Sequence, residues 1–318
     1  MASIFSNNIY NQLLVDLSSS KSIKDIDLAN YLIELRPLAS KLYKALQNDS
    51  VSVNYADEDV QIAYVLRYFP VYWEQIFSAL TKIYSAKDFK NYSSFNIGLF
   101  GSGPCPEIIG IIRFFENLLD SSIGDLNNNI FTLPKIIHSY DQSNSTWKFS
   151  KNTFIHPPKR ARAIVDFGIN IASGDFDFTK DLKLPTKFQD NFYDICCFQN
   201  CLNEFHHLSS NHVFKSNLLS VIAALNESGY LIISDREFKD GLSSAKKSGN
   251  EIISICLANG MVLHSIIEGP DNWYNNKKDS RLPGMMRNLF TFDKDERLIP
   301  TFENRRFIYI LRKIPSFE

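Results

Sequence analysis

Acid–base side chains are concentrated between residues 199 and 207, directly after an apolar stretch that ends at Gln199. The candidate catalytic residues there are Glu204, His206 and His207. A neutral imidazole can take a proton from a hydroxyl group or a protonated nitrogen, because its unperturbed pKa lies near neutrality, and a carboxylate is a comparable base. The alternative is that one histidine only opens the helix predicted at 208–225. The pattern predicts a general base just after the end of a strand.

A glycine turn occurs about a hundred residues before this cluster. Residues 95–107 predict a short apolar strand, a turn and a helix. Glycine lets the backbone come close to a ligand, and the first N–H groups of a helix are free to donate hydrogen bonds. Gly101, Ser102 and Gly103 are therefore predicted to bind a cofactor, although an ordinary strand-to-helix turn is the alternative. Pro106 stands where a dinucleotide fingerprint has its third glycine, which argues against a bound pyrophosphate.

An acidic residue, Asp141, ends the next predicted strand, 135–141. One carboxylate can accept hydrogen bonds from both hydroxyl groups of a ribose, so Asp141 is predicted to hold a nucleoside. A polar, Asn-rich run at 120–129 explains why Asp141 lies further from the glycine turn than the ~20 residues of the usual fingerprint. A simple turn-forming role is the alternative for Asp141.

The run Leu99-Phe100-Gly101-Ser102-Gly103-Pro104, with Glu107 after it, resembles the first motif of the class I S-adenosylmethionine (SAM)-dependent methyltransferases. In that family the Gly-x-Gly loop passes under the methionine part of the cofactor. The resemblance covers residues 93–318. It implies an α/β, Rossmann-like seven-stranded sheet with a C-terminal antiparallel hairpin and SAM as cofactor. The implied activity is methyl transfer to an O or N nucleophile of RNA, protein or a small molecule.

Further cofactor-binding residues follow from the resemblance. It implies that Asp175 and Phe176, after the third strand, hold the adenine ring, because a carboxylate can accept the exocyclic amino group and an aromatic ring can cover the ring face. A polar turn before Asp177 is the alternative. Gln199 and Asn200, at the end of the fourth strand, complete the predicted cofactor site, because ligands bind at the carboxyl ends of parallel strands.

Two departures from related patterns narrow the chemistry. Base-amino methyltransferases often carry Asp/Asn-Pro-Pro-aromatic after the fourth strand, and this chain does not, which disfavours methylation of exocyclic amines in nucleic acid. Residues 63–70 are faintly similar to methyltransferase-like proteins associated with mitochondrial ribosomes, but the metal ligands of those proteins are not matched. Cys196, Cys197 and Cys201 lack the spacing of a structural zinc site, so we predict buried apolar thiols and no metal.

The first 92 residues have apolar side chains at helical spacing and almost no glycine. They predict an all-helical N-terminal cap, followed by a methyltransferase domain at 93–318. Asp57 is a candidate N-cap for a helix, which Pro70 is predicted to separate from the next one. The apolar stripes are expected to lie in the core. The alternative is an aromatic lid over the site, formed by Tyr64, Arg67, Tyr68, Tyr72 and Trp73.

Composition excludes several classes of protein. The net charge of -1 gives no overall basic field for nucleic acid. No apolar run approaches the ~20 residues of a membrane-spanning helix, and the N-terminus lacks a secretory pattern, so we expect a cytoplasmic protein without a membrane partner. Basic residues at 159–162 and in an insertion at 271–302 suggest a phosphate-bearing acceptor, with surface solvation as the simpler alternative.

Two other functions are compatible with this sequence. One is a methyltransferase-shaped binding or assembly protein that keeps the cofactor pocket without turnover. The other is an enzyme that uses SAM for chemistry other than methyl transfer. No motif identifies the acceptor or the oligomeric state.

Overall fold

The computed structural model describes residues 9–45, 53–85, 95–122, 134–156, 168–180, 190–202, 211–237, 244–270, 284–289 and 305–315. The helices before the first strand are α1 (Ile9–Lys21), α2 (Asp25–Glu34), α3 (Arg36–Ala45) and α4 (Glu58–Ser85). The prediction that Asp57 caps a helix is confirmed. Its Oδ1 accepts hydrogen bonds from the backbone N–H groups of Asp59 (2.8 Å) and Val60 (3.4 Å), which have no partner within the helix.

Helix α4 continues through Pro70, so the predicted division of this segment at Pro70 is wrong. A proline in a helix interior costs about 3 kcal/mol, because it removes one hydrogen bond and crowds the preceding turn. Burial on both sides of Pro70 offsets this cost. Leu66 and Phe69 before it, and Ile76 after it, are completely enclosed. Packing of the two halves against the same core therefore keeps the helix continuous.

The strands and the remaining helices follow in an alternating order. The strands are β1 (Phe95–Phe100), β2 (Pro134–Asp141), β3 (Asn170–Asp175), β4 (Tyr193–Gln199), β5 (Leu225–Glu237), β6 (Met261–Pro270) and β7 (Arg305–Lys313). The helices among them are α5 (Pro106–Ser122), α6 (His212–Ala224) and α7 (Ser244–Leu257). Shorter helical segments are Lys148–Ser150, the π-helical turn Lys151–Ile155 and the 3-10 turn Gly284–Asn288.

The strands form one seven-stranded sheet in the order β3-β2-β1-β4-β5-β7-β6. Strands β1 to β5 pair in parallel. Strand β7 is antiparallel to both β5 and β6. The predicted α/β fold with a Rossmann-like sheet and a C-terminal antiparallel hairpin is confirmed.

The strand register gathers several predicted site residues at one edge. Phe100 of β1 lies opposite Tyr140 of β2 and Phe198 of β4, and Asp141 lies opposite Asp175. The residues that immediately follow these strands therefore meet at the carboxyl edge of the sheet. This is the edge at which open α/β sheets bind ligands.

The helices before β1 share a core with the sheet. One continuous apolar cluster contains Leu66 and Ile76 of α4, Ile109 of α5 and Ile97 of β1. A second cluster packs α6 and α7 against the opposite face, through Phe214 among others. The predicted boundary between a cap at 1–92 and a domain at 93–318 stays a prediction. In space, α4 lies directly against α5.

The described part of the 271–302 insertion, residues 284–289, places two apolar side chains in the core. Met286 and Leu289 are completely enclosed. The Arg36 Nε group donates a hydrogen bond to the backbone carbonyl of Asn288 (2.5 Å). The segment 284–289 thus packs against α2 and α3, whereas the basic side chains of the insertion lie outside the part that the structure describes and surface solvation of them stays untested. Among the residues that the structure describes, no helix is long and apolar enough to span a membrane.

Candidate functional site

Two adjoining hollows lie at the carboxyl edge of the sheet. The small cleft is lined by Phe100, Tyr140, Phe176, Asp177, Phe178, Thr179 and Cys201. The large cavity extends from the glycine turn to the N-terminal helices and includes Tyr72, Glu107, Trp147, Gln199 and Asn200. Gly101, Asp141 and Gln142 line both hollows. An elongated ligand that crosses the glycine turn can therefore occupy both hollows.

Gly101 must be glycine because of its conformation and its neighbour. Its φ is +66°, a region that side chains disfavour. A Cβ atom at this position would lie 2.7 Å from the Sγ atom of Cys201. The Gly101 N–H group donates a hydrogen bond to the carbonyl of Tyr140 (2.8 Å), which fixes the turn to the end of β2. The predicted loop of Gly101, Ser102 and Gly103 therefore lines the large cavity in a defined conformation.

Asp141 organises the glycine turn from the opposite strand. Its Oδ2 accepts a hydrogen bond from the Gly103 N–H group (2.8 Å), and its Oδ1 accepts one from Ser143 (2.9 Å). A carboxylate offers about four acceptor positions, so two remain for a ligand. The carboxylate lines both hollows, which is the placement that a ribose-binding role requires. Ribose binding stays a prediction.

The two residues predicted to hold adenine separate in the structure. Phe176 is buried and lines the small cleft. Asp175 is exposed, and its Oδ1 accepts a hydrogen bond from the Ser145 N–H group (3.0 Å) without lining either hollow. The carboxylates that line the small cleft are those of Asp177 and Asp141.

Asp177 is held in its charged form. Burial opposes its ionisation, but hydrogen bonds from Thr179 (N–H at 2.9 Å, hydroxyl at 2.6 Å) and an ion pair with Lys180 (2.9 Å) outweigh that effect. The pKa of Asp177 is consequently lowered. The sequence signal available for this residue was the Asp-x-Thr pattern at 177–179, to which we assigned no role.

Gln199 and Asn200 follow β4 into the large cavity. The side-chain amide of Gln199 donates a hydrogen bond to the backbone carbonyl of Tyr72 (2.8 Å), and Asn200 Oδ1 accepts one from Gln75 (3.2 Å). The other amide atoms, Gln199 Oε1 and Asn200 Nδ2, are buried and have no hydrogen-bond partner among the described residues. A ligand in the cavity can satisfy both, which supports their predicted placement.

Glu107 is a site residue that the sequence reasoning missed. It lies in the first turn of α5 and is only 2% exposed, yet it lines the large cavity. Burial raises the pKa of Glu107 to about 8, with a smaller contribution from Asp141, against the opposing effects of its own backbone N–H group and of Lys151. Its place after the Gly-x-Gly motif was the available signal, but burial of a helix-terminal glutamate is a tertiary property.

Aromatic rings form the wall of the large cavity opposite the sheet. Trp147 lies 5.1 Å from Tyr55 and 5.2 Å from Tyr64, measured between ring centroids. Tyr64 and Tyr72 therefore line the cavity as the aromatic-lid alternative required. The other three residues of the lid, Arg67, Tyr68 and Trp73, do not line it. Arg67 is buried and donates a hydrogen bond to the carbonyl of Ala39 (3.3 Å).

The candidate catalytic residues Glu204, His206 and His207 lie outside the described residues, as do the basic residues at 159–162. The last described residue before the candidate catalytic residues is Leu202, whose N–H group donates a hydrogen bond to Asp235 Oδ2 (3.0 Å). The described residues contain no group of three or more His, Cys, Asp or Glu side chains that could hold a metal ion. Cys196 and Cys197 are buried, and burial raises the pKa of both thiols well above the usual range.

Comparison with known proteins gives similarity to solved structures alone. No protein-family model and no curated protein sequence matches the chain significantly. One similar structure is phosphoethanolamine N-methyltransferase 2 of Haemonchus contortus, in complex with phosphomonomethylethanolamine and S-adenosylhomocysteine (12% identity, 83% of this chain, 61% of that chain, TM-score 0.43). A second is the N-methyltransferase NodS of Bradyrhizobium japonicum WM9 in complex with S-adenosylhomocysteine (11% identity, 76% of this chain, 86% of that chain, TM-score 0.36). A third is the [4+2]-cyclase SpnF (13% identity, 75% of this chain, 81% of that chain, TM-score 0.36). The chain thus spans about three fifths of the length of the Haemonchus protein.

Proposed function

We propose that the protein is a SAM-dependent methyltransferase that acts on an O or N nucleophile. The observation that carries this proposal is the pair of adjoining hollows over the glycine turn, which share Asp141 and have aromatic side chains at one end. SAM has an adenosine part, a sulfonium methyl group and an amino-acid part in that order. Phe176 and Asp177 suit adenine, Asp141 suits the ribose, and the large cavity suits the amino acid and the methyl group.

The charge of the large cavity supports a cationic ligand. The acidic residues among its lining are Glu107 and Asp141, and the lining contains no lysine or arginine among the described residues. SAM carries a sulfonium and an ammonium charge against one carboxylate, so it complements such a site. A phosphate group would meet no cation in this lining. A phosphate-bearing acceptor therefore requires the basic residues at 159–162 or in the insertion.

Methyl transfer from a sulfonium is a direct displacement, so much of the acceleration comes from holding the acceptor in line with the methyl group. The aromatic wall of Tyr55, Tyr64, Tyr72 and Trp147 is the surface that such an acceptor would meet. Glu204, His206 and His207, which follow β4 by a few residues, remain the proposed bases. The nature of the acceptor stays open among RNA, protein and small molecules.

Transfer of a radioactive methyl group from SAM to a cell extract tests this proposal. We expect label in one fraction, whether RNA, protein or small molecule, with the wild-type chain. Gly101→Ala should lose this transfer, whereas Gly168→Ala should keep it, because Gly168 has a similar φ of +73° but no atom within 4 Å of the added carbon. Bound SAM without transfer to any fraction would favour the binding-protein alternative. Consumption of SAM without methyl transfer would favour the other SAM chemistry.

A further inference from the structure

The carboxyl group of Glu107 is buried, and one of its two oxygens has no hydrogen-bond partner among the described residues. The unsatisfied oxygen is Oε2. Leaving a buried acceptor unsatisfied destabilises the protein, and a charged group does so more strongly. Because the side chain lines the large cavity, a bound ligand can supply the missing donor.

Two more unsatisfied polar atoms line the same cavity. Gln199 Oε1 is an acceptor, and Asn200 Nδ2 is a donor. Together with Glu107 Oε2 they form two acceptors and one donor. An α-amino acid presents an ammonium group with three donors beside a carboxylate that accepts. The set therefore complements an amino acid better than a phosphate or an apolar group.

The positions of the two hollows indicate which part of the ligand meets these three unsatisfied atoms. A nucleoside whose base lies against Phe176 in the small cleft and whose ribose is held by Asp141 must direct its 5′ substituent away from the cleft. Gly101 and Asp141, which line both hollows, mark the passage into the large cavity. Glu107 lies only on the large-cavity side. The amino-acid part of SAM would therefore reach Glu107.

We propose that the Glu107 carboxylate binds the α-ammonium group of the cofactor and makes the chain selective for ligands that retain the amino-acid part. This inference rests on the proposed function, because it presumes that SAM occupies the cavity. The position of Glu107 in the first turn of α5 contributes, since the positive end of the helix dipole favours a carboxylate there. Glu107 is thus a ligand-binding residue additional to the glycine turn and Asp141.

The protonation of Glu107 gives this interaction a second signature. The groups that act on it are Lys151 and Asp141, and the buried Cys197 thiol also faces it. With a pKa of about 8, the carboxyl group is mostly protonated at pH 7 in the free protein. An adjacent ammonium group favours the carboxylate, so binding at pH 7 releases a proton. Affinity should rise with pH up to about 8, where the ligand ammonium group itself begins to deprotonate.

Three ligands and two variants test the assignment. Glu107→Gln should lower the affinity for SAM and S-adenosylhomocysteine about tenfold to hundredfold, the range for a hydrogen bond to a charged group. It should change the affinity for 5′-methylthioadenosine, which lacks the amino-acid part, less than about threefold, a shift well below that range. Glu116→Gln is the matched control, because Glu116 is also buried on α5 but does not line the cavity.

Equal losses for all three ligands would overturn the inference, because Glu107 would then only shape the cavity. Unchanged binding of all three would overturn it as well. Failure of the wild-type chain to bind any of the ligands would instead refute the proposed function. Melting temperatures of both variants show whether they are folded.

Calorimetry of the wild-type chain provides a test that needs no variant. At pH 7, binding enthalpies of SAM measured in buffers with small and large ionisation enthalpies should differ by the amount expected for release of about one proton per site. 5′-Methylthioadenosine should show almost no such difference. The same enthalpy in all buffers for SAM would contradict the proposed coupling between binding and the ionisation of Glu107.

Discussion

At the scale of single residues, the site depends on how closely two backbone segments approach. The turn at Gly101 and the chain after β4 leave no room for a side chain, because Cys201 fills the space next to Gly101. The positive φ of Gly101 adds a second constraint. Gly168 has a similar positive φ but no close neighbour. Comparing substitutions at the two glycines therefore distinguishes backbone strain from steric contact.

We predict that Gly101→Ala destabilises the protein more than Gly168→Ala and weakens SAM binding. Both variants carry the roughly 1–2 kcal/mol cost of a side chain in the left-handed region, and only Gly101→Ala adds the contact with Cys201. Thermal unfolding and titration with SAM measure the two effects. Adding Cys201→Gly to Gly101→Ala should recover part of the lost stability. Equal stability of the two single variants would show that the contact with Cys201 does not matter.

The proposed general base gives a second prediction at this scale. Among Glu204→Gln, His206→Gln and His207→Gln, one variant should lower turnover about 10²–10⁴-fold with nearly unchanged SAM affinity. The pH–rate profile of that variant should lack an ionisation seen in the wild-type profile. Full activity in all three variants would mean that positioning alone, or a base on the N-terminal helices, supports the reaction.

Individual site residues differed in how well the sequence predicted them. The position of Asp141 was predictable, because a residue at the end of a parallel strand lies at the carboxyl edge of the sheet. Asp175 and Asp177 are two residues apart in an exit loop, and the turn of the chain there, which the sequence does not determine, brings Asp177 into the cleft. Glu107 was not assigned a role, because its significance comes from burial beside the large cavity.

At the scale of elements, the crossing of α4 and α5 holds the N-terminal helices against the sheet. A Cβ atom at Gly110 of α5 would lie 2.3 Å from the backbone carbonyl oxygen of Trp73 and 2.4 Å from a methyl carbon of Ile76. The helices therefore approach more closely than any residue other than glycine allows. This contact also orients Tyr72, which neighbours Trp73 and lines the large cavity.

Gly110→Ala should destabilise the protein by about 1–3 kcal/mol, the usual cost of overpacking. Alanine is otherwise favoured over glycine in a helix by about 1 kcal/mol. Gly249→Ala in α7 is the control, because the nearest atom there is a ring carbon of Phe307 at 3.2 Å, which can shift more easily than a backbone carbonyl. Chemical denaturation compares the free energies of unfolding. A Gly110→Ala variant at least as stable as wild type would contradict the described crossing.

The elements themselves were largely predictable, with instructive exceptions. Short apolar runs with turn residues on either side located the strands, because buried parallel strands are continuously apolar. Pro70 misled the prediction, since local propensity gave a helix end and tertiary packing retained the helix. Strand β5 begins at Leu225, ahead of Gly229, because Leu225 pairs with Tyr193 of β4 in the folded sheet.

At the scale of the whole molecule, one apolar core joins the N-terminal helices to the sheet. Leu66 and Ile76 of α4 belong to the same cluster as Ile97 and Ile109. Hydrogen bonds also connect the two parts, for example from the Ser234 hydroxyl group of β5 to Gln75 Oε1 of α4 (3.0 Å). The sheet order was predictable from the resemblance, whereas this shared core was not, since both halves have apolar faces that could close separately.

We predict that the chain unfolds in a single cooperative transition. Separating the N-terminal helices would expose apolar faces of α4 and α5, so neither part should be stable alone. Scanning calorimetry should give a calorimetric enthalpy equal to the van't Hoff enthalpy. Two resolved transitions, with residues 1–92 folded as an isolated fragment, would contradict this expectation.

The central claim is that the hollow over the glycine turn binds SAM. Titration calorimetry of the purified chain with SAM and with S-adenosylhomocysteine tests it most directly, together with the melting temperature at saturating ligand. The account predicts one site per chain for either ligand and a higher melting temperature, because a ligand that binds only the folded state stabilises it. Absence of heat with both ligands, with an unchanged melting temperature at saturation, would contradict the account.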